Sequence, residues 1–517
     1  MKRKIPLALS YSLLSAVLLS LGWLGGGGFW LLVAFVPLLW LQKSGHRGFM
    51  WWVALTFFLW IEATCWWVGL STLLAVVFVP LVGLFFTVIP FGLYHYVYKH
   101  SPSEALQWVL FCTLWISFEG LYMYGQISFP WLTLGYGFAG EPWAVQWYSL
   151  TGSFGGSLWV LVSNILVFKA VEAIVCRRRF IVAWSLWVFL PLGFSLVQYF
   201  SYSPNSETIN VAVLQPNIDP YNEKFGGLSR SSQRDIFLSL MQQAPLQTDF
   251  FVLPETAFSD NLWLGRFNES HTVDTLRWFL RQKFPHATVV TGADTYRFVS
   301  PGEPQSYTVR HLKGQGVGYE SLNSALWIDS SSTVEVYNKG KLVCGVEMTP
   351  YPAFFGALDR LLSVNLGGQG GKVGTSTKRT THKGVGVAIC YEAIYGEFYT
   401  EYIKAGAQAM LIISNDGWWG NTPGHRQLLR FARLRAVETR RAIARSANTG
   451  TSAIISARGD VVQSMGWDRR GVLSGGIELS KEVTPYVLWG DIVVRVSMYV
   501  CLLSLLFFVA QRFRKKV

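Results

Sequence analysis

Three groups able to carry out acyl transfer stand at the ends of strand-like runs. Cys390 closes the apolar run Gly384 to Ile389, Glu255 follows Asp249 to Leu253 and Pro254, and Lys339 comes just after Thr333 to Tyr337. A thiolate can attack a carbonyl, a carboxylate can take the thiol proton, and an ammonium can stabilise the oxyanion of the tetrahedral intermediate. A cysteine in an apolar strand is also a small hydrophobe that packs well, so its neighbours decide the reading. Lys341 competes with Lys339, because the two would point the same way in an extended strand. A lysine beside Cys390 is expected to favour the thiolate.

The elements that must position these groups lie between Ser201 and Gly490, an ordinary globular mixture. Strand-like runs recur at Thr208 to Leu214, Asp249 to Leu253, Ala287 to Thr291, Ser324 to Ile328, Thr333 to Tyr337, Gly384 to Cys390, Ala409 to Ser414, Ser452 to Ser456 and Val472 to Ile477. Helical patterns at Ser231 to Gln243, Val273 to Lys283, Glu397 to Ala405 and Gly424 to Arg441 alternate with them. Alternating elements over this length predict one layered α/β domain. From Val364 to Lys383 the chain is rich in Gly, Ser, Thr and Lys without apolar period, a surface loop placed to act as a lid.

The rest of the chain is membrane protein. Hydrophobic residues make up 51% of the 517 and charged ones only 15%, too few for a wholly soluble protein. A helix crossing the bilayer core needs about 20 apolar residues. Candidate spans are Ile5 to Leu21, Phe29 to Leu41, Phe49 to Gly69, Leu73 to Val97, Ala105 to Tyr122, Gly152 to Val171, Phe180 to Tyr199 and, after the globular region, Ile492 to Ala510, eight in all. Lys and Arg cluster at Lys2 to Lys4, at Lys43 and Arg47, at Lys99, at Arg177 to Arg179 and at Arg512 to Lys516, whereas the alternate connections carry none. The positive-inside rule then puts both termini in the cytoplasm and the globular region outside it. The expected domains are residues 1–200 (seven spans), 201–490 (catalytic) and 491–517 (last span and basic tail).

Much of the +13 net charge is therefore a topology signal and not a nucleic-acid footprint. No cleavable signal peptide is expected, since the first apolar segment lacks a small-residue cleavage site and more spans follow. The six cysteines make no disulfide framework, and the eight histidines show no metal-ligand spacing. Neither metal nor organic cofactor is expected. In the external loop Met123 to Leu150, Trp131, Trp143 and Trp147 suit the headgroup region. Glu62 and Glu119, acids toward the external ends of spans, are expected to meet interfacial water.

Several motifs share one order: Pro254-Glu255; Tyr337-Asn338-Lys339 with Leu342-Val343; Cys390-Tyr391-Glu392; Ser414-Asn415-Asp416-Gly417-Trp418; and Ala432 to Glu438 continuing to Ala447-Asn448-Thr449-Gly450. In these the domain resembles the nitrilase (carbon-nitrogen hydrolase) superfamily, whose Glu-Lys-Cys triad sits on an αββα sandwich. With its spans, and with Phe129-Pro130-Trp131 and Gly135-Tyr136, the whole chain resembles the apolipoprotein N-acyltransferase family.

The resemblance implies a membrane helical bundle carrying an extracytoplasmic αββα domain in the bacterial inner membrane. It implies transfer of a fatty acyl group from a phospholipid, phosphatidylethanolamine, to the α-amino group of the diacylglyceryl-cysteine of an apolipoprotein. Glu255 becomes the general base, Lys339 the oxyanion stabiliser and Cys390 the nucleophile, the family spacing to Leu342-Val343 favouring Lys339 and leaving Lys341 a solvated charge; Glu347 is a candidate second glutamate, and Tyr391 and Glu392 are candidates for positioning. The chain departs from the family at Cys344-Gly345-Val346-Glu347, where many members read Pro-Phe-Gly-Glu, and at Lys224-Phe225, where some read Lys-Trp. A monomer is expected.

Overall fold

The computed structural model describes residues 4–71, 75–173, 175–224, 227–300, 302–303, 306–312, 317–356 and 372–514. Leu73 of the fourth expected span, Phe225, residues 364–371 of the candidate lid, and Lys2, Arg3, Lys515 and Lys516 lie outside the described residues. The chain divides into two compact units: Met1–Gly125 with Phe129–Tyr202 and Thr484–Val517, and Gln126–Ser128 with Ser203–Val483.

In the first unit seven described helices are long and apolar enough to cross a membrane: Ile5–Leu24, Phe49–Leu70, Ala75–His100, Glu104–Tyr124, Ser153–Glu172, Arg177–Phe200 and Ile492–Arg514. The expected span at Phe29 to Leu41 is not among them. It is a 3-10 segment, Gly28–Val33, followed by a short α-helix, Val36–Lys43, with Pro37 in its first turn. The backbone groups freed at the break are taken up by the Ser153–Glu172 helix. Phe35 N donates to Asn164 Oδ1 (2.7 Å), Asn164 Nδ2 to Leu31 O (2.7 Å) and Ser163 Oγ to Leu32 O (2.8 Å). Buried protein partners of this kind are what make interrupted helices tolerable at membrane depth.

Two polar expectations in this unit change. Glu119 does not simply face water: its Oε1 accepts from Trp115 Nε1 (3.0 Å) and Leu134 N (2.8 Å), pinning the loop that follows its helix. Trp131 and Trp147 are 1% and 9% exposed, so they form the loop's own core; Trp143, 37% exposed, is the one of the three left to meet lipid headgroups.

The second unit is an αββα sandwich. One sheet carries, in order, Gly471–Glu478, Thr208–Gln215, Phe250–Val252, Thr288–Val299, Gly318–Ile328 and Arg310–His311, with Val334–Asn338 also paired to Gly318–Ile328. The other runs Val461–Met465, Ser452–Ile455, Ile443–Ala447, Ala409–Ser414, Val385–Ile389 and Thr381–His382. Each sheet has a parallel centre, Thr208–Gln215 with Phe250–Val252 and Thr288–Val299 in one, and Val385–Ile389 with Ala409–Ser414 and Ile443–Ala447 in the other. Strands covered on both faces must be apolar throughout, which is why Val385–Ile389 and Ala409–Ser414 show no alternation and are entirely buried.

Helices Arg230–Met241 and His271–Lys283 close the outer face of the first sheet, burying Phe237, Leu240, Leu276 and Leu280 against Leu214, Phe251, Val289 and Leu326. Ser229 and Ser270 cap them, each accepting from the backbone N–H three residues on. On the other side lie Gly396–Lys404 and Pro423–Thr439, the second opened by Thr422 and Pro423 and ended by Arg440 in the left-handed conformation. The inner faces meet where Ser446 Oγ donates to Leu214 O (2.7 Å).

Candidate active site

Cys390 sits on a sharp turn. The strand Val385–Ile389 ends, Cys390 takes φ of +51°, and the chain enters the 3-10 turn Cys390–Ile394. A β-carbon residue held in the left-handed region stores strain, and such strain gathers where a side chain must be aimed. The elbow is held from behind by Glu392, which is fully buried. Its Oε2 accepts from Ile389 N (2.7 Å) and Tyr402 OH (2.9 Å), and its Oε1 from Tyr337 OH (2.6 Å) and Gly340 N (2.6 Å). One carboxylate thereby ties the Cys390 turn to the loop that follows Lys339.

Lys339, 1% exposed, lies between two glutamates. Its Nζ donates to Glu255 Oε1 (2.9 Å) and to Glu347 Oε1 (3.0 Å). Asn323, on the neighbouring strand, donates through Nδ2 to the same two oxygens at 2.8 and 3.0 Å. Glu255 Oε2 accepts from Asn415 N (3.2 Å), and the charge of its carboxylate acts on the Cys390 thiol. Glu347 is fixed at its other oxygen by Val343 N (2.8 Å), so the changed Cys344-Gly345-Val346 sequence still delivers the glutamate to the lysine.

Burial raises the Glu255 carboxyl, but the Lys339 charge and the hydrogen bonds outweigh it and hold the group below the usual carboxylate value. Burial lowers the Lys339 ammonium, yet Glu255 and Glu347 hold it well above the ordinary lysine value. Burial and then the Glu255 charge push the Cys390 thiol far up; Lys339 opposes them and loses, contrary to the expectation that it would leave a thiolate. The resting set is thus thiol, carboxylate and ammonium, the protonation state in which a base removes the proton as attack begins.

The structure brings Glu255, Lys339, Cys390 and Glu347 together. It places Tyr391 and Glu392 in supporting positions: Tyr391 OH donates to Ser128 O (2.9 Å) and Tyr395 OH bonds Ser128 Oγ (2.8 Å), anchoring the segment Gln126–Ser128. Lys341 is not a freely solvated charge. The strand ends at Asn338, so the two lysines diverge, and Lys341 Nζ lies 4.9 Å from the centre of the Tyr395 ring.

A second polar layer lies beneath the sulfur. Ser414 Oγ is 3.2 Å from Cys390 Sγ and 2.5 Å from Asp416 Oδ1, and Asp416 is gripped by Arg445 through both oxygens at 2.9 and 2.8 Å. Asp416 and Arg445 are fully buried, a charge pair in which one guanidinium nitrogen, Nη2, donates to both carboxylate oxygens. Asn323 and Arg445 had drawn no attention in the sequence. Neither stands in an otherwise apolar run, since Ser321 and Ser324 lie beside Asn323 and Ser446 follows Arg445, so no sequence signal singled them out.

Two family models match in chain order, the apolipoprotein N-acyltransferase N-terminal domain over residues 15–166 and carbon-nitrogen hydrolase over 305–483. The chain belongs to the apolipoprotein N-acyltransferase family. It is a multi-pass membrane acyltransferase built on the nitrilase fold. The carbon-nitrogen hydrolase match takes in Lys339 and Cys390 and begins after Glu255, which the fold returns to them. The chain is similar to the apolipoprotein N-acyltransferase of Chlorobaculum tepidum, 28% identical over 84% of this chain and 82% of that one. It is also similar to those of Gloeobacter violaceus, 26% identical over 92% and 82%, and of Nitrosomonas europaea, 28% identical over 77% and 74%.

Proposed function

We propose that this acyltransferase takes a fatty acyl group from a membrane phospholipid, phosphatidylethanolamine, and delivers it to the α-amino group of the diacylglyceryl-cysteine at the N-terminus of apolipoproteins. The observation that carries the reading is the buried ammonium of Lys339 set between Glu255 and Glu347, with the Glu255 charge acting on the Cys390 thiol. Glu255 removes the Cys390 proton as sulfur attacks the donor ester. Lys339 stabilises the oxyanion, a contribution of about 2.7–4 kcal/mol for one good donor. The ester C–O bond breaks, Glu255 gives its proton to the leaving oxygen, and lysophospholipid departs from a Cys390 thioester. In the second half the amine attacks the thioester carbon, Glu255 takes the amine proton, and sulfur leaves to be reprotonated. Two substrates that use one site in turn give ping-pong kinetics.

Donor and acceptor both reside in the bilayer, so spans that hold the enzyme there confine them with it. The charge pattern of the loops supports a catalytic unit on the periplasmic side with both termini cytoplasmic. That topology needs the broken pair Gly28–Lys43 to carry the chain across, a passage supported by the bonds from Asn164. A monomer suffices for this mechanism. The test is incubation of the purified enzyme with phosphatidylethanolamine carrying a deuterated acyl chain and a diacylglyceryl-cysteine peptide. Label in an amide at the peptide N-terminus is the expected result; label released only as free fatty acid would replace the transferase by a hydrolase.

A further inference from the structure

Asp294 lies directly opposite Asn323 on the paired strands Thr288–Val299 and Gly318–Ile328, so the two side chains share the face of the sheet that carries the site. Asn323 is 7% exposed, and its orientation is dictated by chemistry. Both its Nδ2 bonds go to glutamate oxygens, which can only accept, so Oδ1 must point elsewhere, and there this buried acceptor finds no protein donor. The Asp294 carboxylate, partly open to solvent, likewise has no hydrogen-bond donor among the described residues. Two unpaired acceptors stand side by side on the catalytic face.

The charges agree. Glu255, Glu347 and Asp294 are three carboxylates, and the ammonium groups among them are two, Lys339 and the buried Lys224, which acts on both Asp294 and Glu255 and donates to Thr256 Oγ1. The group that restores the balance is a further cation, and an ammonium brings three donors to two waiting acceptors. The acceptor's α-amino group, with an ordinary pKa of about 7.7–8.0, arrives at neutral pH largely as such an ammonium.

Resting on the acyl-transfer reading above, we propose that Asp294, with Asn323 Oδ1, is the binding site for the α-ammonium of the acceptor. The ammonium gives one proton to the Asp294 carboxylate, which leaves a neutral amine with a lone pair. That nitrogen attacks the thioester carbon: the C–N bond forms, the C–S bond breaks, and a second amine proton passes through Glu255 to the departing sulfur. Asp294 then returns its proton to solvent. Burial raises the Asp294 carboxyl above its usual range, Lys224 only partly opposing, and this suits it to accept a proton.

The half-reactions separate the possibilities. Asp294→Asn keeps the size and removes the charge, and Asp294→Glu keeps the charge. With phosphatidylethanolamine alone, Asp294→Asn is expected to reach thioester occupancy within about two-fold of wild type, which also shows that it folds. With diacylglyceryl-cysteine peptide added to pre-loaded enzyme, KM for the peptide should rise about ten-fold or more, and Asp294→Glu should recover part of that loss. Wild-type KM in Asp294→Asn would overturn the proposal. So would an equal loss in both half-reactions, which marks a structural role. A wild-type enzyme that forms no thioester refutes the acyl-transfer reading itself, and the acceptor site falls with it.

Discussion

Gly292 lets Glu255, the proposed general base, lie where it does. A β-carbon at this position would come 2.4 Å from Thr256 N and 2.5 Å from Glu255 Cα, backbone atoms with no rotamer to yield. The strand is also bonded to this segment at both of its groups, Gly292 N to Pro254 O (3.1 Å) and Ala257 N to Gly292 O (2.8 Å). Gly292→Ala must therefore push Glu255 aside by about 1 Å to reach ordinary contact distance, at a strain of about 1–3 kcal/mol. A shift of that size in a catalytic group costs about 100-fold in rate. The assay is the rate of thioester formation on Cys390, followed by intact-protein mass with saturating phospholipid, beside a thermal melt. The account predicts a folded enzyme slowed by about two orders of magnitude. A Gly292→Ala enzyme with a rate within about three-fold of wild type would refute the claim that Glu255 needs this exact backbone approach.

Four further outcomes follow from the site. Glu255→Gln removes a charge that raises the thiol, so the pH midpoint of Cys390 alkylation by iodoacetamide should fall from its wild-type position above about 8.5, even as acyl transfer is lost; an unmoved midpoint counts against the geometry. The Glu255 carboxyl is held below its unfolded value of about 4.3, so its stabilisation is present above that pH and is lost as pH falls through the folded value. The acid limb of thioester formation should accordingly lie below about pH 4.3 and move upward in Lys339→Met, which a pH–rate series reads directly. Asp416→Asn strips the partner from a fully buried arginine and should cost about 3–5 kcal/mol by denaturant melting, with part of it regained in the Asp416→Asn, Arg445→Met double variant. Glu392→Gln turns an amide N–H₂ toward a backbone donor at Ile389 N or Gly340 N, and about 1–3 kcal/mol of lost stability should appear with slower loading of Cys390.

The three proposed reacting groups stand out in the sequence because each follows a strand-like run. Val385–Ile389 and Ala409–Ser414 are covered on both faces and so read as unbroken apolar runs. Several strands were not legible in the sequence. Among them, Phe258–Trp263, Ile443–Ala447 and Val461–Met465 carry Asp260, Arg445 and Gln463, and pairing with neighbouring strands, not side-chain pattern, makes them strands. Asn323 and the backbone N–H of Asn415 escaped for a related reason, since both meet Glu255 only through the sheet and the sandwich. The direction of the Cys390 shift was misjudged because sequence shows a nearby lysine but not the burial that outweighs it. The membrane break at Gly28–Lys43 was hidden by hydropathy, which counts apolar residues and is blind to a side chain such as Asn164 that replaces helical hydrogen bonds.

The central claim is that Cys390 carries the acyl group between two lipids. Peptide mapping of the enzyme after exposure to phosphatidylethanolamine, and again after a chase with diacylglyceryl-cysteine peptide, tests it most directly. The account predicts a fatty-acyl mass on Cys390, labile to hydroxylamine, that vanishes on the chase and reappears as an amide on the peptide. Peptide acylated at full rate with no acyl mass on Cys390 at any time, or acylated by Cys390→Ala, would contradict it.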